Sequence, residues 1–150
     1  MDKCTKNFSI QRGFTLIELI VVISIIGILS SLLVANFMNV RYKTRDGVRK
    51  KDLEQIRLAL ETYRIDVGKY PETASFPTCG SPLQDPPTVY MEKVPCDPLD
   101  GTTDYVYAKG TSDFRYTLSV CLENTNDQDP NATDDLSCGA NGKRYTVTNP

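Results

Sequence analysis

FTLIELIVVISIIGILSSLLVANF, residues 14–37, is the stretch that decides how this chain is organised. It holds one charge, Glu18, and no proline. Roughly 20 apolar residues of helix cross a bilayer core about 30 Å thick, and a helix that is apolar all round must be surrounded by lipid or by protein. A chain of 150 residues has too little sequence left to wrap such a helix, so the segment reads as a single membrane span. An ordinary cleaved secretory signal fits poorly, because its apolar core runs to about 7–15 residues with small residues at the cut. Here Leu33 stands where a cut after Ala35 needs a small side chain. Cys4 precedes the apolar run, which excludes a lipoprotein site.

Charge is segregated around this span. The chain carries 17 Lys and Arg against 19 Asp and Glu, a net charge of −2, but Met1–Gly13 is net +2, Arg41–Arg64 net +4 and Ile65–Pro150 net −7. There is no histidine, so neither a His-dependent nucleophile nor an imidazole metal site can be built. The acidic balance argues against nucleic acid as the default partner. What remains is a structural or interaction protein, or an anchored hydrolase working with carboxylates alone. The acidic residues cluster in loops with no apolar pocket to raise a pKa, which disfavours the hydrolase.

Beyond the span the helical signal continues. Leu53, Ile56, Leu60, Tyr63 and Val67 recur every three or four residues, one apolar stripe on a helix whose other faces are charged. Gly68 and Pro71 supply the stop. A helix from Phe14 to Val67 is about 80 Å long at 1.5 Å per residue, with its weak point at Asp46-Gly47, where Gly costs about 1 kcal/mol. Asp104–Ala108 and Arg115–Leu122 alternate with period two and are joined by Lys109–Asp113, a hairpin pattern. Lys143–Thr148 reads as a third strand. Seven prolines make Pro71–Pro98 a loop, and Asn124–Asn141 is too rich in Asn, Asp and Gly for regular structure. The basic stretch Arg41–Lys51 leaves three readings open: contact with anionic headgroups, contact with DNA, or a solvated face whose intersubunit partners are Asp46, Asp52, Glu54 and Glu61.

Of five cysteines, Cys4 stands alone before the span, while Cys79, Cys96, Cys121 and Cys138 follow it. Four cysteines in a small polar region indicate two disulfides and an oxidising compartment, against an alternative of four reduced thiols. Of the three pairings we favour Cys79–Cys96 and Cys121–Cys138, each closing a loop worth about 3 kcal/mol. The residues after the span are thus expected outside the cytoplasm.

Gly13-Phe14-Thr15-Leu16-Ile17-Glu18 after a short basic leader resembles the processing site of type IV pilin-like proteins. The resemblance implies a leader at Met1–Gly13, prepilin peptidase cleavage between Gly13 and Phe14, N-methylation of Phe14, and pairing of Glu18 with the Phe14 amine of a neighbouring subunit during assembly. Cleavage also removes Cys4 and leaves an even number of cysteines. The plainer reading of Thr15-x-x-Glu18 is a helix capping box. Tyr63-x-x-Asp66-x-Gly68-x-Tyr70-Pro71, Tyr90–Pro98 and Tyr105-x-Tyr107 are similar to the major pseudopilin of type II secretion. Past Tyr107 that likeness fades, and a disulfide-closed end is more like a pilin.

The fold expected is α+β and pilin-like. One long N-terminal helix, half membrane-embedded and half amphipathic, packs on a small antiparallel sheet with a disulfide-closed C-terminal region. The divisions are leader 1–13, membrane and polymerisation helix 14–37, amphipathic continuation 38–68 and globular head 69–150. The resemblance implies no catalytic residues and no small-molecule substrate. Its partners are the chain itself as a helical homopolymer, minor pilin-like subunits, prepilin peptidase, an inner-membrane assembly platform and, before assembly, the membrane. The expected place is the inner membrane with the head outside the cytoplasm, then an extracytoplasmic filament. No cofactor is expected other than calcium, which major pseudopilins bind in a C-terminal loop; Asn124, Asn126, Asp127, Asp129, Asp134 and Asp135 are the candidate ligands. They do not form an EF-hand, and a solvated acidic loop is the competing reading. Two other functions stay open: a subunit of a surface pilus for adhesion, motility or DNA uptake, and a single-pass anchored binding module that never polymerises.

Overall fold

The computed structural model describes residues 13–149, without the side chains of 32–36, 38 and 39. Of the expected leader only Gly13 falls among them; the rest, Cys4 included, lies outside the described residues. The chain divides between Met38 and Asn39 into two compact units. The helix α1 comprises Leu16–Val67, 52 residues, and contributes residues to each unit.

In the first unit α1 begins at Leu16 rather than at Phe14, because Thr15 forms the cap and so stays outside the helical hydrogen-bond ladder. The side chains that follow are open on all sides, with Leu16 75%, Ile23 58% and Leu29 57% exposed. Among the described residues no helix is long and apolar enough to cross a membrane. Of the apolar run, the side chains of 14–31 and of Phe37 are described, an unbroken stretch short of the roughly 20 residues a crossing takes.

In the second unit the helix passes unbroken through Asp46-Gly47 and ends where the sequence places its stop. Gly68 adopts φ +83°, a left-handed conformation that suits a glycine, and donates its N–H to the Arg64 carbonyl at 2.8 Å. The head then forms two antiparallel sheets. β1 (Leu83–Asp85) and β2 (Thr88–Met91) make a hairpin. β3 (Val106–Lys109), β4 (Tyr116–Leu122), β5 (Ala132–Asp134) and β6 (Lys143–Thr148) make a four-stranded sheet in the order β3-β4-β6-β5.

The apolar stripe and the alternating strands meet in one core. Leu53, Ile56 and Leu60 of α1 are fully buried in one cluster with Leu118, Val120 and Leu122 of β4 and Tyr145 and Val147 of β6. β4 and β6 hold this register through six consecutive pairs from Thr117↔Thr148 to Leu122↔Lys143, so each strand turns alternate side chains to the helix. Cys79–Cys96 and Cys121–Cys138 are disulfides, with Cα atoms 4.9 and 5.4 Å apart.

Three segments differ from expectation. The Pro71–Pro98 stretch contains the β1–β2 hairpin, with Pro86-Pro87 as its turn. Pro82 precedes β1, so these prolines sit where a strand pair tolerates a missing N–H. The Asn124–Asn141 stretch contains β5 and a 3-10 turn at Leu136–Cys138. The first strand of the main sheet starts two residues later and ends one residue later than expected, at Val106–Lys109, where Lys109 pairs with Tyr116.

Candidate functional site

Two places gather the residues singled out by sequence. The first is the start of α1. Gly13 is exposed and Phe14 is 93% exposed. Thr15 donates its backbone N–H to Glu18 Oε2 at 2.8 Å and its hydroxyl to the same oxygen at 2.7 Å. The Glu18 N–H returns to Thr15 Oγ1 at 3.3 Å. This is a complete capping box, which satisfies two otherwise unpaired donors of the first turn. Within a single chain, therefore, the Glu18 carboxylate is engaged by its own helix.

The second place is the junction of α1 with the loops of the head. Asp46 and Arg49 precede Leu53, Ile56 and Leu60 at the same three-and-four spacing, and both are buried. The core stripe thus runs on as charge. Arg49 donates from Nε and Nη2 to the two oxygens of Asp97, at 2.7 and 2.8 Å. Its Nη1 reaches Asp46 Oδ1 at 2.8 Å and Glu123 Oε1 at 2.7 Å. Asp46 in turn accepts the backbone N–H groups of Glu123 at 3.0 Å and Asn124 at 2.8 Å. Arg45 forks onto Glu123 from Nε and Nη2. Burial opposes the charge on Arg49, but its hydrogen bonds to Asp97, Asp46 and Glu123 outweigh this and raise its pKa above the ordinary arginine range. The hydrogen bond from Arg45 does most to hold Glu123 below the usual carboxylate range.

Asp97 follows Cys96, and Glu123 lies two residues after Cys121. One buried guanidinium therefore ties the helix to a segment beside each disulfide. Arg45, Arg49 and Lys50, read from sequence as part of a headgroup, DNA or intersubunit face, are tethers within the chain. The sequence carried a signal for this: charged residues at stripe positions, on a basic helix segment facing an acidic head.

The tyrosines of the pseudopilin-like motifs serve the same junction. Tyr105 donates its hydroxyl to Asp52 at 2.7 Å, Tyr70 to Glu61 at 2.7 Å and Tyr107 to the Pro71 carbonyl at 2.7 Å. Tyr63 meets Tyr90 edge-on at 5.1 Å, and Phe76 stacks on Tyr107 at 4.3 Å. Burial, joined by the Glu61 hydrogen bond, pushes the Tyr70 hydroxyl up to about 12.

The six candidate calcium ligands are divided among four sets of partners. Asp127 and Asp129 bracket Lys50, whose Nζ lies 2.8 and 3.2 Å from them. Asp134 pairs with Lys143 at 3.0 Å. Asp135 takes Arg144, together with the Ser137 N–H and hydroxyl. Asn124 Oδ1 accepts the Asn126 N–H at 3.3 Å. No group of three acidic or sulfur ligands able to hold a metal forms among the described residues. All four aspartates of the set thus face a Lys or Arg of the chain, which fits poorly with their serving together as ligands of a calcium ion.

Comparison with known proteins finds matches over both parts of the chain. The prokaryotic N-terminal methylation motif matches residues 9–34, and the family described as type II secretion system (T2SS), protein G, matches residues 36–138. Among curated relatives, type II secretion system core protein G of Pectobacterium carotovorum is 37% identical over 103 residues, 63% of this chain and 65% of its own length. The protein of that name from Pseudomonas aeruginosa is 36% identical over 109 residues, 67% of this chain and 76% of its own. That of Vibrio cholerae is 32% identical over 124 residues, 77% and 84%. The chain thus spans just under two thirds of the Pectobacterium relative. No solved structure matches the chain significantly. With a methylation motif leading directly into a matching head, the chain belongs to the type II secretion system protein G family.

Proposed function

We propose that this chain is a structural subunit, not an enzyme, of a type II secretion pseudopilus. Prepilin peptidase cuts it between Gly13 and Phe14 and methylates the new Phe14 amine. It resides in the inner membrane through residues 14–37 with its head outside the cytoplasm, and polymerises with itself and with minor pilin-like subunits on an inner-membrane platform. The observation that carries this reading is the succession, in one chain, of the methylation motif at 9–34 and the protein G match at 36–138. Physical chemistry supports it further. The helix after Phe14 leaves apolar side chains uncovered, and such a surface needs lipid or like helices around it. A carboxylate at the depth of Glu18 costs about 2.5–3.5 kcal/mol without a partner. In the lone chain Thr15 meets that need. In the filament the amine of a neighbouring Phe14 takes over part of it.

The test is to express the chain with and without a prepilin peptidase and to measure the intact mass and first residue of the membrane-extracted protein. Loss of Met1–Gly13 with a methylated Phe14 is the expected result. An unprocessed chain beside active peptidase would remove the basis for assembly and leave an anchored ectodomain with Glu18 as its cap.

A further inference from the structure

The turn between β4 and β5 is acidic, yet it is organised around a positive charge from the helix. Lys50 Nζ donates to Asp127 Oδ1 at 2.8 Å and to Asp129 Oδ2 at 3.2 Å. It also lies 5.2 Å from the centroid of the Tyr145 ring on β6, within reach of a cation–π contact. An ammonium has three donors; here two meet carboxylates and an aromatic ring lies beside the third. The side chains of Lys50, Asp127 and Asp129 are only 23%, 15% and 27% exposed. The carboxylates are also used by the turn itself. Asp127 Oδ1 accepts the Asp129 N–H at 2.9 Å, and Asp129 Oδ1 accepts the Asn131 N–H at 3.0 Å. This is the arrangement by which a bound metal ion orders an acidic loop, with a lysine in the metal's place.

We propose that the Lys50 ammonium is the resident cation of the 124–131 turn, and that this head orders its C-terminal region without a divalent metal. A calcium ion requires six to eight oxygens, and would have to displace Lys50 and break the turn's own N–H bonds to obtain them. Asp134 and Asp135 pair instead with Lys143 and Arg144, Asp134 as an exposed surface pair. Burial opposes the Lys50 charge, but the hydrogen bonds to Asp127 and Asp129 more than compensate and raise its pKa. The inference stands on the head alone and does not depend on filament assembly.

Amide hydrogen exchange across residues 124–131 of the full chain in detergent micelles, disulfides oxidised, tests it. The wild-type turn is measured in chelator and in millimolar calcium chloride, and Lys50→Met in chelator. The expected result is equal wild-type protection in both conditions and a loss on the order of tenfold in Lys50→Met. A gain of similar size in the wild-type turn on adding calcium overturns the proposal, as does undiminished protection in Lys50→Met. Should Lys50→Met not fold, the wild-type comparison decides alone.

Discussion

Replacing Arg49 with methionine is the perturbation to which this head should be most sensitive. The side chain is 3% exposed and faces three carboxylates, with Asp46 3%, Asp97 11% and Glu123 21% exposed. Removing one member of a buried ion pair costs about 3–5 kcal/mol, because the charge left behind is neither solvated nor paired. The lower end applies here, since each carboxylate retains another donor. Asp46 keeps the Glu123 and Asn124 N–H groups, Asp97 keeps the Leu99 N–H, and Glu123 keeps Arg45. A loss of about 3 kcal/mol in a domain of this size lowers Tm by about 12 °C. Arg45→Met is the matched control: it removes a fork onto the same Glu123, but at 25% exposure, and pairs so open to solvent contribute about 1 kcal/mol or less. Urea and thermal unfolding of the oxidised full chain in micelles measure both. Arg49→Met within about 1 kcal/mol of wild type, or Arg45→Met costing as much as Arg49→Met, would refute the account of Arg49 as the buried centre of the junction.

Two further outcomes follow from the same geometry. Both disulfides have a sequence separation of 17, so loop-closure entropy predicts nearly equal losses, about 3 kcal/mol each, when either pair is changed to serine; denaturant midpoints differing by more than about half that amount would reject an entropic origin. In acid, Glu123 and Asp127 titrate below their ordinary values, Glu123 chiefly through Arg45, Asp127 because its burial is outweighed by the hydrogen bonds from Lys50 and the Asp129 N–H together with the charges of Lys50 and Lys143. Asp135 is held at about 2, mainly by the Ser137 hydroxyl and Arg144. Depressed carboxylate pKa values add stability that is present above about pH 4 and disappears as pH falls through the folded-state values. Urea midpoints should hold from pH 7 to about 5 and decline between about 4 and 2; a decline already complete by pH 5 contradicts these pairings.

Much of this architecture is legible in the residues. The stripe Leu53, Ile56, Leu60 and the alternation Tyr116, Leu118, Val120, Leu122 name the two surfaces that meet, because period 3.6 and period 2 each expose one apolar face. Lys143–Thr148 is observed with the bounds its alternation implies. The β1–β2 hairpin was hidden because proline density reads as loop, although each proline there occupies a turn or a strand end. Its signal was Thr88–Met91, a β-prone run too short to stand out beside seven prolines. β5 was hidden because three residues carry no period, and it exists only through pairing with β6. The charged junction was hidden for a different reason. Which basic residue turns inward depends on helix phase and on distant loops, and Asp97 and Glu123 reach Arg49 across 48 and 74 positions of sequence.

The sheet order has a consequence for crowding. A strand with an open edge can recruit a strand from another molecule, and long flat edges seed aggregation. Here the two outer strands of the main sheet are three and four residues long. The β3 rim is flanked by the 3-10 turn at Thr73–Ser75, whose Thr73 hydroxyl accepts the Lys109 N–H at 2.9 Å. The β1–β2 ribbon is equally short and is bounded by Pro82 and turned by Pro86-Pro87. Edges this short and this bounded offer little for a strand of another molecule to pair with, so contact between two such heads falls to their side chains.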